Sequence, residues 1–594
     1  MTPALASSFR LGLVGVVVAA CFCGIGFRLY HLQIVESDSL AAVADGHRKQ
    51  VIVQKARRGT ILDRRGNLLA TDRTFIELGV DPQVVREEDR DRWPELARMI
   101  DVPLPELERL MTTRVSAGDS GYSEDVRLVR WRKLQDGLDE PTYEKIRELG
   151  IRGVYGNRHF RRVYPARDLA AHVIGFSNRE GRGVIGVEHA MDFYLRGTDG
   201  WLESERDGRR RELMQFRSRE VPATNGFNIE LTLDNVVQFV VERELERIVE
   251  NFDPKGAVII VSEPATGNIL GLGNYPSFDL NQYNLVDIAH HRNLAVTDVM
   301  EPGSTFKIVP VAGALNEGLV SPKRVFDCGV SLVEYRGRRL RLPRDHREFG
   351  ELSVADIVRV SSNRGVAYLG MMLGEKRLHD YAEAFGFGSR TGFPLLGEVR
   401  GTLHPVRNWD GLTITRLPIG HAVSATPLQI HYAMAALANG GVLMEPRIIQ
   451  RVVNERGDTV FSYSPAARQR AVSMETAETL SAMLAAAAAP GGTAPEAQIP
   501  GYEVAGKTGT TQKIVDGRYS RRHHVASFSG YFPASNPQVA ITVIVDEPTS
   551  SGPSYGGVVA APSFRRVGVE LIPYLGIEAV RPEAVLARRE GGFR

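Results

Sequence analysis

Cysteine is nearly absent. Three occur in 594 residues, Cys21, Cys23 and Cys328, too few and too scattered for a disulfide framework. Cys328 stands alone, which an exported domain tolerates when the thiol is buried. Neither paired-cysteine spacing nor an H-E-x-x-H run is present, so no metal site is written in the chain and no cofactor is expected. The pair His523-His524 sits in a basic stretch that reads as loop rather than as a ligand pair. A charge imbalance is missing too. With 73 basic against 71 acidic residues the net charge is +2, which calls for no nucleic acid or other polyanionic partner. Two local arginine clusters, Arg209-Arg210-Arg211 and the group Arg336, Arg338, Arg339 and Arg341, read as solvated faces. There are no internal repeats, which excludes solenoids. The length is too great for one core and implies three or four domain-sized units.

What is present begins with one long apolar run. From Leu11 to Phe27 the chain is uncharged, bounded by Arg10 and Arg28 and extended by Leu29, Tyr30 and Leu32, the length of a short membrane span. A cleaved signal peptide and a lipoprotein signal compete with that reading, because Val18-Ala19-Ala20-Cys21 is similar to a lipobox. The run continues past Cys21 instead of turning polar, which favours an uncleaved anchor over 11–32 after a short tail, 1–10. One arginine on each flank leaves the orientation undetermined.

Lysine is scarce as well, ten of the 73 basic residues, and only Lys307 has a serine three positions before it. In Glu301-Pro302-Gly303-Ser304-Thr305-Phe306-Lys307 a Pro-Gly turn precedes the pair. On a helix this spacing puts hydroxyl and amine on one face. An amine can titrate where a guanidinium cannot, so a lysine kept in an arginine-rich chain suits a base beside a nucleophile. An isolated S-x-x-K reads equally as a capped helix start with a solvated charge. Two further motifs follow in order: Ser361-Ser362-Asn363, the only S-x-N, and Lys507-Thr508-Gly509-Thr510, the only K-T-G. The three together resemble the active-site set of the penicillin-recognising serine enzymes.

A longer stretch narrows the resemblance. Arg57-Arg58-Gly59-Thr60-Ile61-Leu62-Asp63-Arg64-Arg65-Gly66-Asn67-Leu68-Leu69-Ala70 reads by itself as a charged hairpin, and it is similar to the opening motif of the class B penicillin-binding proteins. Arg162-Val163-Tyr164-Pro165, Ala171-His172-Val173-Ile174-Gly175 and Gly183-Val184-Ile185-Gly186-Val187-Glu188 fit the same family. The resemblance implies a non-catalytic pedestal domain over 33–226, within which about 75 to 150 reads as a helical, charged insertion. A transpeptidase domain over 227–573 and a polar tail, 574–594, follow.

In the second domain, Asp234 caps a helix carrying Val237, Val241, Leu245 and Ile248 on one face. Ala257 to Ser262 and Ile269 to Gly273 read as strands, and so do Ala526 to Phe532 and Val539 to Val545. Strands at both ends with helices between predict an α+β domain, one antiparallel sheet with a helical insertion. The resemblance implies the penicillin-binding transpeptidase fold, with Ser304 on the first helix of the insertion and Lys507 on a strand. Ala485 to Ala489 followed by Pro490-Gly491-Gly492 reads as a helix end.

The resemblance also implies roles. Ser304 would attack the penultimate D-Ala carbonyl of a stem peptide, and Lys307 would take its proton, which needs an amine held neutral by burial and by the like charge of Lys507. Ser361 would pass the proton to the leaving D-Ala, and Asn363 would hold the substrate amide. Lys507 and Thr508 would bind the terminal carboxylate, Gly509 would admit a close backbone approach, and the N–H groups of Ser304 and Thr510 would form the oxyanion hole. Peptidoglycan stem peptides and β-lactams are the implied ligands, and no metal or cofactor is needed. Val360-Ser361-Ser362-Asn363, Thr426-Pro427-Leu428-Gln429, Lys513, Tyr519, Asp546-Glu547-Pro548 and Tyr555-Gly556-Gly557 are similar to the septal, cell-division branch, which implies a polytopic glycan polymerase and other division proteins as partners. It also implies a catalytic domain on the extracytoplasmic side of the plasma membrane. Thr511, where that branch usually has alanine, and Pro310, inside the nucleophile helix, depart from the pattern. A D,D-carboxypeptidase or β-lactamase, which needs no pedestal, and a non-catalytic scaffold or β-lactam sensor are the other readings of the same site.

Overall fold

The computed structural model describes residues 3–40, 49–113, 115–116, 127–206, 212–213, 217, 219–549 and 555–579; the cluster Arg209-Arg210-Arg211 and most of the C-terminal tail lie outside them. Two compact units result, one formed by 1–57 with 197–225, the other by 58–196 with 226–594.

The smaller unit holds a helix, Pro3–Tyr30, continued by the wider turn His31–Val35. Its span Leu11–Val35 is long and apolar enough to cross a membrane, and none of it is buried against protein. The strand Lys49–Gln54 pairs antiparallel with Gly200–Arg206, which also pairs with Arg219–Val221. Lys55 and Ala56 close this ribbon on the Asp199 carboxylate at 2.6 and 2.9 Å.

In the larger unit a seven-stranded sheet runs Thr459–Ser462, Ile449–Val453, Asn228–Leu231, Ile61–Leu62, Leu68–Val80, Arg132–Leu138, and Val154–Val163 pairs with the long strand Leu68–Val80. It takes strands from both sides of residue 227. The expected hairpin over 57–70 is formed by Ile61–Leu62 and Leu68–Val80. The expected helical insertion over 75–150 is instead mixed. Ile76, Leu78 and Val80 are buried at the period of a strand and pack with Trp93, Leu96 and Leu107 of two short helices. Residues 117–126 of that stretch lie outside the described residues.

Three stretches far apart in sequence meet in one buried cluster. Arg58 Nε donates to Glu188 at 2.6 Å and its Nη1 to Asp192 at 2.6 Å, while Arg162 Nε donates to the other Glu188 oxygen at 2.6 Å. Glu188 is wholly buried. A buried carboxylate needs its cations and donors in place, so each of the three stretches requires the other two.

The remainder is a five-stranded antiparallel sheet in the order β2-β1-β5-β4-β3, where β1 is Gly256–Glu263, β2 Asn268–Tyr275, β3 Ala505–Val515, β4 Arg518–Phe532 and β5 Val539–Asp546. One face carries α1 (Asn235–Phe252) and α6 (Ala561–Leu575), packed through Val237, Val241, Leu245, Phe564 and Leu571. On the other face lie α2 (Ile308–Asn316), α3 (Asn363–Ala384), α4 (Pro427–Ala438) and α5 (Met474–Ala488), which ends as expected before Gly491. Asp234 caps α1 by accepting from Val236 and Val237. Packing runs past the expected end of the domain at 573: Tyr574 donates to Asp234 at 2.7 Å and Ile577 is buried. His523 and His524 sit in β4, not in a loop. The Asp516-Gly517 turn, with both residues at positive φ, folds β4 back on β3 and carries the basic stretch into the ladder.

Candidate active site

The Ser304 to Lys307 step is a single 3₁₀ turn, Gly303–Lys307, that runs into α2. In a 3₁₀ turn, residues three apart eclipse, so serine and lysine share a face even more closely than in an α-helix. Pro310 lies in the first turn of α2, where its missing N–H leaves no bond unmade. Gly303 has φ +53°, and a β-carbon there would run into the Thr511 side chain, so the departure at Thr511 is in contact with the nucleophile turn.

The structure brings the first and second motifs together. Lys307 Nζ donates to the Ser361 carbonyl at 2.6 Å and to Asn363 Oδ1 at 2.7 Å, and lies 3.0 Å from Ser361 Oγ. Ser361 holds a left-handed backbone, φ +58°, between the helix Val354–Arg359 and α3, which turns its carbonyl and hydroxyl to the same amine. Lys307 is 3% exposed. Burial first, then the like charge of Lys507, hold its amine well below the usual lysine range, against a smaller pull from Asp345. An amine that is neutral gives two N–H bonds to the two carbonyl oxygens and keeps a lone pair for a hydroxyl.

Lys507 is 1% exposed, and burial brings its amine down to about 7. Its nearest polar partners are its neighbour's carbonyl and hydroxyl, Thr508 O at 3.2 Å and Oγ1 at 3.3 Å. Ile308, Val311, Val366, Leu480 and Leu484 line the small cavity between the two lysines, which is why both are desolvated. The third motif lies on β3, the edge strand, so one side of its backbone is free to pair with an extended ligand. A β-carbon at Gly509 would collide with Ser527 and press on Thr305 and Pro302. Thr510 Oγ1 accepts from the N–H of Gly556, at the start of the short helix Gly556–Val559, and Thr508 donates to Thr493 at 3.2 Å.

Asp345 escaped the sequence reading. It is 8% exposed; Ser362 Oγ donates to its Oδ2 at 2.9 Å and the Asn363 N–H donates to its Oδ1, so it holds the second motif from behind. Asn363 Nδ2 donates to the Arg344 carbonyl at 2.7 Å, which fixes which end of the amide faces Lys307. Nothing marks Asp345 in the sequence except its place at the end of the arginine-rich stretch. Cys328, the solitary thiol, is buried beside this cluster, and burial pushes its thiol up, away from reactivity.

Known proteins share both parts of the chain. Residues 257–568 match the penicillin binding protein transpeptidase domain and residues 53–231 the penicillin-binding protein dimerisation domain. The chain is 32% identical to stage V sporulation protein D of Bacillus subtilis, over 95% of this chain and 85% of the relative. It is 30% identical to the peptidoglycan D,D-transpeptidase FtsI of Escherichia coli K12, over 99% and 95%. Among solved structures, penicillin binding protein 3 of Mycobacterium tuberculosis in complex with aztreonam is similar, with a TM-score of 0.66 and 28% identity over 89% of this chain and 99% of that one. With both domains matched in order, its three motifs gathered around two buried lysines and near-full-length relatives, the chain belongs to the class B penicillin-binding proteins, the D,D-transpeptidase family.

Proposed function

We propose that the chain cross-links peptidoglycan by a two-step acyl transfer through Ser304, in septal wall synthesis. In the first step Ser304 Oγ attacks the penultimate D-Ala carbonyl of a donor stem peptide while Lys307 takes its proton. Collapse of the tetrahedral intermediate expels D-Ala, protonated through Lys307 and Ser361, and leaves an ester on Ser304. Asn363 orients the stem peptide, and Lys507, Thr508 and Gly509 receive its terminal carboxylate along the free edge of β3. The N–H groups of Ser304 and Thr510 hold the oxyanion. In the second step the amine of a neighbouring strand displaces Ser304. The cleaved peptide bond supplies the energy of the new one, so the reaction needs no cofactor.

The observation that carries this reading is the Lys307 amine, three residues from Ser304, bonded to the Ser361 carbonyl and Asn363 and pushed by burial well below the usual lysine range. The pedestal over 33–226 and the catalytic domain over 227–573 lie outside the plasma membrane in this reading, tethered by the anchor over 11–32 with 1–10 on the cytoplasmic side. Division proteins, among them a polytopic glycan polymerase, are its partners. The relative named FtsI and the septal-type motifs support that placement. Intact-mass analysis after incubation with a penicillin tests the chemistry. One adduct is expected, lost in Ser304→Ala, and an adduct that persists in the variant moves the nucleophile elsewhere.

A further inference from the structure

Beside the nucleophile turn lies a second constellation that none of the roles above uses. Glu301 stands three residues before Ser304, and three segments converge on its carboxylate. His421 Nδ1 lies 3.1 Å from Oε2, Tyr519 Oη donates at 3.1 and 3.2 Å, and the Ala422 N–H donates to Oε1 at 3.1 Å. His421 Nδ1 is also 2.8 Å from Tyr519 Oη, with the rings edge to face at 5.3 Å. Tyr519 sits just past the turn between β3 and β4, and His421 follows Gly420 on a loop. That loop is seated on the nucleophile turn: the Gly303 N–H donates to the Gly420 carbonyl at 3.2 Å, and a β-carbon at Gly420 would collide with the Gly303 carbonyl. The residues that follow this backbone contact on either side are Ser304 and His421.

Proton accounting fixes the tautomer. A carboxylate only accepts, and the single Tyr519 proton goes to it, so Nδ1 must be the donor toward Glu301 and Tyr519. That leaves the lone pair on Nε2, which makes no hydrogen bond among the described residues, on a side chain 29% exposed. The result is an imidazole oriented by a carboxylate with its basic nitrogen open, the arrangement of a general base that lacks its own hydroxyl. Burial works to raise the Glu301 carboxyl, yet the hydrogen bonds from His421, Ala422 and Tyr519 bring it below the usual range, so it remains an anion that stabilises an imidazolium. Burial and the Glu301 charge push the Tyr519 hydroxyl up to about 12, so it remains a donor. Arg416, whose charge works to lower the Tyr519 hydroxyl, is a further charged group on this side, and its carbonyl accepts from the His421 N–H at 3.2 Å.

We propose that the Glu301–His421 pair, braced by Tyr519, is the acceptor subsite, where the primary ammonium group of the incoming strand is bound and deprotonated. The inference rests on the transpeptidase reading. An ammonium has no lone pair and cannot attack an ester, whereas the donor step needs no such base. In the second step His421 Nε2 takes one proton from the ammonium, and the free amine attacks the acyl carbonyl on Ser304. The new C–N bond forms as the C–O bond to Ser304 breaks. The second amine proton returns the serine hydroxyl, and His421 releases its proton to solvent. The Glu301 charge draws the cationic ammonium to this site ahead of neutral water, so the pair favours aminolysis by concentrating the acceptor beside the ester.

The test reads the fate of one common intermediate, so changes in acylation rate cancel. Full-length protein in detergent is given a D-alanyl thioester donor with D-alanine as acceptor amine, and the ratio of aminolysis to hydrolysis product is followed from pH 6 to 9. His421→Gln and Glu301→Gln are expected to lower the ratio tenfold or more at each pH. Where either variant fails to fold, Tyr519→Phe carries the test, with an expected fall of threefold or more. A ratio within twofold of wild type in the folded variants overturns the acceptor subsite alone. A wild-type protein that consumes no donor brings down the transpeptidase reading and the subsite with it.

Discussion

Lys307 and Lys507 are the two buried lysines of the described residues, and each leaves water at a cost that only a neutral amine reduces. For Lys507 the ordinary value of 10.5 falls to about 7, so between those values the folded chain holds it neutral while the unfolded chain holds it charged. The unfolded state then binds more protons, and this group's contribution to stability rises with pH across that window. The same shift makes carboxylate binding a proton-linked event. A ligand carboxylate beside Lys507 restores its charge, so binding above pH 7 takes up a proton. Calorimetry of a penicillin binding to Ser304→Ala in buffers of different ionisation enthalpy is expected to show uptake approaching one proton near pH 8.5 and none near pH 5.5. No uptake at pH 8.5 removes Lys507 from the carboxylate site. At this scale the sequence pointed through rare local patterns to Ser304, Lys307, Ser361, Asn363 and Lys507, of which Lys307, Ser361 and Asn363 are in contact. It was silent on Asp345, Thr493, Glu301 and His421, whose neighbours lie tens to hundreds of positions away and share no local pattern with them.

The elements were legible where a single face is buried. The stripe Val237, Val241, Leu245, Ile248 and the apolar runs of β1 and β5 can pack in only one way, and the antiparallel sheet follows from them. The start of α4 is a capping box, with Thr426 and Gln429 each bonded to the other's backbone, which gives Thr426-Pro427-Leu428-Gln429 a structural reason. Lys513 with Asp546 and Glu547, quoted above only as branch landmarks, proves to be an ion cluster at 2.9 and 2.5 Å that ties β3 to the end of β5. The elements that escaped are those in which charge hides the pattern. Glu77 and Gly79 between Ile76, Leu78 and Val80 masked a strand, and the basic residues of β4 passed for loop because the hairpin end they occupy is exposed and carries no apolar face. The first turn at Ser304 is tighter than the expected α-helix because the left-handed Gly303 starts it.

At the scale of the whole molecule, three of the four pedestal stretches quoted from the sequence, those carrying Arg58, Arg162 and Glu188, meet in one buried ion cluster. The unburied apolar span Leu11–Val35 suits an anchor. Depletion of the protein is expected to give filaments of undivided cells under the microscope, as the septal reading requires; swollen, rounded cells place it in wall elongation, and normal division with a block confined to sporulation places it with its Bacillus relative. The central claim nonetheless lives in one amine, because the account turns on Lys307 being neutral and acting as the base for Ser304. At 3% exposure an arginine there would be a buried charge, so the decisive substitution is Lys307→Met, which keeps the volume and removes only the amine. The measurement is the second-order rate of acylation by a fluorescent penicillin, with thermal melting beside it. The account predicts a variant that still folds, melting lower only by what the lost bonds to the Ser361 carbonyl and Asn363 contribute, and acylates about 10²–10⁴-fold more slowly. A folded Lys307→Met that acylates within about tenfold of wild type would contradict it.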